Sequence, residues 1–94
     1  MDRIGISFTA PLTSDEVRDQ YIRPLRAALE ADHVGFYSNY LRQGDDQPGP
    51  PEHLLIFQVR EFREGLHRLR MEFEKLPRPG EVQFHNLNPS DPMY

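Results

Sequence analysis

From Arg3 to Thr9 apolar and polar residues alternate strictly, with Ile4, Ile6 and Phe8 on one side. A period of two marks a strand with one buried face, and Pro11 ends it. The period then lengthens. Val17, Tyr21, Leu25 and Leu29, with Ala28, share one helical face. Thr13 and Glu16 stand at capping-box spacing with acids in the first turn, so the helix is expected to start there. Pro24 interrupts the pattern because it cannot donate to the carbonyl of Gln20, which predicts a kink or a break into two segments. Asp32, His33 and Gly35 close the element.

Phe36 to Arg42 is aromatic-rich and of strand length. The loop Gly44 to Pro51 follows, with too much proline and glycine for helix or sheet. Leu54-Leu55-Ile56-Phe57-Gln58-Val59 is the strongest strand signal, and its apolar run on both faces predicts a central place in a sheet. Arg63-Glu64-Gly65 leads into a second helix, with Leu66, Leu69, Phe73 and Leu76 on its apolar face and Pro77 as its stop. Glu81 to Leu87 alternates as a last strand with Val82 and Phe84 inward. Residues 1–88 thus read as one α+β domain, and 89–94, with two prolines, as an irregular tail.

The order strand, helix, hairpin, helix, strand resembles the β-α-β-β-α-β ferredoxin-like sandwich: a four-stranded antiparallel sheet with two helices on one face. The resemblance is topological and covers nearly the whole chain, and it implies the strand order 4-1-3-2. Parity then assigns Ile4, Ile6, Phe8, Tyr37, Leu41, Leu55, Phe57, Val59, Val82 and Phe84 to the helix side. The other side would carry Phe36, Tyr40, Leu54 and Ile56 on the half made by the second and third strands. Arg42 and Arg60 would join them there, while the half made by the first and fourth strands would be polar, with Ser7, Thr9, Glu81, Gln83 and His85.

An uncovered apolar patch of this kind marks a contact surface. Phe36, Tyr40, Leu54 and Ile56 are therefore the candidate partner-binding residues, with a second copy of the chain or another protein as the occupant. The competing cover is the chain itself, through the long loop or the tail residues Met93 and Tyr94. At 94 residues the hydrophobic core is small, so self-association would help.

Charge and chemistry narrow the function classes. The net charge of −4 argues against a general nucleic-acid binder, whose affinity comes from neutralising phosphates. An RNA-binding sheet would also need central exposed aromatics ringed by basic residues. Phe36 and Tyr40 fall instead on an expected edge strand. The chain has no cysteine, hence no disulfide framework, thiolate metal site or cysteine nucleophile. Its longest apolar run, Leu54 to Phe57, is too short to span a bilayer, and no signal peptide is visible, so a cytoplasmic protein is expected.

His33, His53, His67 and His85 stand in no metal-ligand spacing, the glycines form no phosphate loop, and no residue set reads as catalytic. No metal or cofactor is implied. His85 alone merits a chemical reading: across from Ser7 or Thr9 on the open face, it could assemble an acid/base or ligand site with Tyr40 and Arg60.

Two expectations follow. The first is a non-enzymatic interaction module, self-associating or capping a partner, its acidity suited to a basic target. The second is a small-ligand sensor or enzyme with its site at a ferredoxin-like dimer interface.

Overall fold

The computed structural model describes residues 1–88; the tail expected at 89–94, Met93 and Tyr94 included, lies outside them. Strand β1 (Asp2–Thr9) pairs antiparallel with both β3 (Glu52–Val59) and β4 (Val82–Asn86), and β2 (Gly35–Gln43) pairs antiparallel with β3. The sheet order is β2-β3-β1-β4. β1 and β3 thus hold the centre, where both ladder edges are satisfied.

The first helix begins with α1 (Ser14–Val17). The Glu16 amide donates to Thr13 Oγ1 at 3.1 Å and the Thr13 amide to Glu16 Oε1 at 2.9 Å, which completes the capping box. These bonds favour the carboxylate and hold the pKa of Glu16 below its ordinary value of 4.5. The rod continues through a π-helical turn (Arg18–Ile22) into α2 (Arg23–Ala31). In place of a break at Pro24, the Arg23 amide reaches back five residues to the Arg18 carbonyl. That wider turn accommodates the ring and the missing donor of the proline that follows. At the C-terminus, His33 takes the left-handed conformation (φ 55) and the Val34 amide closes on the Leu29 carbonyl at 2.9 Å.

The second helix, α3 (Phe62–Glu74), is capped by the Glu61 carboxylate, which accepts from the Glu64 amide. Gly65 lets it approach the sheet: a Cβ at this position would fall 2.5 Å from Cβ and Cγ1 of Val59. Glu64 pairs with Arg60, while Arg68 reaches Asp32 at the end of α2 at 2.7 Å and Glu72 on its own helix at 3.6 Å. The Arg68–Asp32 bridge ties the two helices together.

Both helices lie on one face of the sheet. Ile4, Ile6, Leu55, Phe57 and Val59 project into that interface with Leu25, Leu29 and Leu69, and all are fully or almost fully buried. An aromatic group extends the core toward β4: Phe8 and Phe73 both pack on Tyr21, and Phe73 meets Phe84 edge-on. The Tyr21 hydroxyl donates to the Pro77 carbonyl at 2.6 Å, and burial pushes its phenol pKa up.

Candidate interaction surface on the uncovered sheet face

Opposite the helices lies a face left uncovered among the described residues, and residue pairing sorts it into four rows that cross the strands. Arg3 faces Gln58, which faces Phe36. Gly5 lies between Ile56 and His85, and Asn39 lies beyond Ile56. Ser7 lies between Leu54 and Gln83, with Leu41 beyond Leu54. Thr9 faces Glu52, which faces Gln43.

The rows differ from the parity expected along β2, and the cause is local. Tyr37 pairs with Phe57, but Asn39, not Ser38, pairs with Ile56: Ser38 is an extra residue in a β-bulge. One unpaired residue sends every later side chain to the opposite face. Leu41, expected inside, is therefore 43% exposed on the open face, and Tyr40 and Arg42, expected outside, turn toward the helices. The Asn39 side chain accepts from the Tyr40 amide at 2.8 Å, one local stabilisation of the bend.

Of the four candidate partner-binding residues, Phe36, Leu54 and Ile56 do share the uncovered face, and Tyr40 does not. Leu41 takes its place beside Leu54. Leu87 adds to the surface from the β4 side, lying over Gly5 next to Leu54; a Cβ on Gly5 would meet Leu87 Cδ1 at 2.8 Å and Leu54 Cδ1 at 3.1 Å. The Leu87 amide is held by the Arg3 carbonyl, and the Arg3 amide donates to the Asn88 side chain. The interruption Ser38-Asn39 between two aromatic-apolar pairs, Phe36-Tyr37 and Tyr40-Leu41, is the sequence signal for the bulge.

Tyr40 instead completes a buried polar chain that sequence reasoning missed. His53 is fully buried, on the helix side with Leu55, Phe57 and Val59. Its Nε2 lies 2.9 Å from the Ala10 carbonyl, which can only accept, so Nε2 carries the proton in the neutral ring. Nδ1 then accepts from the Tyr40 hydroxyl at 2.6 Å, and the two rings stack. Beside them Arg42 donates to the Leu12 carbonyl at 2.8 Å and to Asp45, whose hydrogen bond raises the arginine pKa. The group ties β2, β3 and the segment after β1 together. Both ring nitrogens of His53 are engaged within the protein.

The alternative ligand site is not assembled as a set. His85 Nε2 is 2.7 Å from Ser7 Oγ on the open face, a diagonal contact between β4 and β1. Tyr40 lies on the other side of the sheet, and Arg60, just past β3, is bound to Glu64 of α3 at 2.9 Å. Beside Ser7 is a shallow concavity of about 320 Å³ lined by Thr9, Glu52, Glu81 and Gln83. Its charges are both acidic. Among the described residues no three acidic or histidine side chains gather as metal ligands, and no helix is long and apolar enough to cross a membrane.

No family model, no curated protein and no solved structure matches this chain. The functional reading rests on the surface alone.

Proposed function

We propose that this protein is a protein-interaction module that binds through the uncovered face of its sheet. The observation that carries the reading is the row of apolar side chains on the β2–β3 half: Phe36 and Leu41 are 41% and 43% exposed, and Leu54 and Ile56 are half-buried beside them. Large side chains grouped on one face without cover are a contact surface in the making. The order β2-β3-β1-β4 is 4-1-3-2 read from the β4 edge, which supports a ferredoxin-like domain spanning residues 1–88. That fold hosts many unrelated functions and leaves this one to the surface.

The test uses the chain and its Ile56→Asp variant, each immobilised and exposed to an extract of its source cells. Proteins retained by the wild type and lost by the variant, copies of the chain included, are the expected result. Identical sets on both supports would overturn the proposal.

A second reading, a small-ligand sensor or enzyme, is supported by the Ser7–His85 hydrogen bond at the rim of the acidic concavity. It now draws on His85 and Ser7 rather than on Tyr40 and Arg60, and loss of ligand binding in a folded His85→Ala variant is its measurement.

A further inference from the structure

The uncovered face is patterned in two directions at once. Across the strands, the β2–β3 half carries the apolar group Phe36, Leu41, Leu54 and Ile56 and the β1–β4 half is mostly polar. Along the strands, the charges separate: Arg3 stands at one end of β1, and Glu52 and Glu81 flank Thr9 at the other. Six steps of strand separate Arg3 from Thr9, about 20 Å. Among the described residues none of these three charges forms an ion pair.

From this we infer that the occupant of the face is a second copy of the same chain, stacked face to face about a twofold axis that runs across the strands. The inference rests on the reading of the face as a contact surface and names its partner. Two simple twofold axes lie in the plane between stacked sheets. An axis along the strands would set the apolar half of one copy over the polar half of the other, and would bring like charges together at both ends. An axis across the strands does the reverse. It stacks the β2–β3 half on its own counterpart and brings each Arg3 over the acidic end of the other copy. The apolar division and the charge division are separate features of the sequence, yet the same rotation satisfies both. Self-complementarity of this kind is what an isologous interface requires, and stacked sheets meet in this manner with a modest rotation from their twist.

Centred between the Gly5 and Ser7 rows, the rotation places Ile56 against Leu54 of the second copy, and Leu54 against its Ile56. On the other half, His85 falls near Gln83 of the second copy. A four-strand face about 19 Å wide and about 25 Å long offers roughly 500 Å² per copy. Two copies then bury roughly 1,000 Å², the floor for a specific interface. An interface at that floor is expected to be weak and concentration-dependent.

The test is a charge exchange followed by sedimentation and native mass spectrometry across micromolar concentrations. Arg3→Glu alone, and Glu52→Lys with Glu81→Lys, should each weaken the homodimer about tenfold, since every substitution acts at two symmetric contacts. An equimolar mixture of the two variants should form a heterodimer of near wild-type affinity, in which both ends again carry opposite charges. All three changes in one chain should restore a homodimer. A mixture that associates no better than the separate variants overturns the twofold. A wild type monomeric throughout overturns the second copy as occupant while leaving another protein, or the chain's own tail, as the cover. A dimer indifferent to Ile56→Asp overturns the contact surface itself, and with it the function proposed above.

Discussion

The two faces of this sheet each carry a histidine hydrogen-bonded to a hydroxyl, and they use it differently. On the covered face, His53 has no solvent exposure and both its nitrogens are satisfied, by Tyr40 and by Ala10. On the open face, His85 contacts Ser7 beside a concavity of acidic and neutral side chains. The pairings are chemically alike; burial separates their roles. A buried imidazole without partners costs free energy, so its bonds serve the fold. A half-exposed one could exchange them for water, so its bond is open to function. The same contrast holds for the apolar residues: Phe57 is sealed by two helices, and Phe36, one strand away, is 41% exposed.

The contrast is broken most severely through the core. Phe57→Ala should lower the unfolding free energy by about 3–5 kcal/mol, whereas Phe36→Ala should change it by about 0.5 kcal/mol or less. Urea denaturation of both at dilute concentration measures the difference. Deletion of Ser38 comes next. Without the bulge, Tyr40 and Arg42 would project from the open face and Leu41 would turn inward, leaving His53 without its hydroxyl partner. A loss of about 3 kcal/mol is expected, read in the same assay.

A finer cut replaces the two hydroxyls. Tyr40→Phe strands the buried His53 Nδ1 and should cost about 1–3 kcal/mol; Ser7→Ala on the open face should cost about 0.5 kcal/mol or less. Thermal melts of the pair compare the two histidine environments directly.

The smallest effect belongs to the cover rather than to either face. Glu16 is more acidic in the folded protein than its ordinary value of 4.5, because its carboxylate accepts from the helix N-terminus. A carboxyl of this kind stabilises the fold above the unfolded-state value, and the contribution is lost as pH falls through the lower folded-state value. Glu16→Gln keeps a capping side chain without the charge, so wild type should be the more stable at neutral pH. The gap should close as the pH falls below 4.5. Paired melts from neutral to acid pH follow it.

Much of the architecture was legible along the chain because its determinants are local and periodic. The alternation of β1, the capping box of Thr13 and Glu16, and the apolar stripe of α3 each repeat one physical preference over several residues. They determined the element order, the antiparallel α+β class and most of the buried set. Three of the four residues proposed for the contact surface followed from the same parity.

The tertiary structure alone decided the rest. Ser38 contributes one extra residue to β2, and a period-two argument carries that single shift to Tyr40, Leu41 and Arg42 at once. Whether the strand absorbs it depends on what waits across the sheet: the imidazole of His53 and the carbonyl of Leu12 reward the bulged register with hydrogen bonds. Those partners lie 13 and 30 residues away in the chain. Likewise, Pro24 was visible as a fault in the helix, but its repair by a π turn depends on a rod packed against the sheet. Local propensity specifies elements; the pairing of distant polar groups under burial selects which of their faces is used.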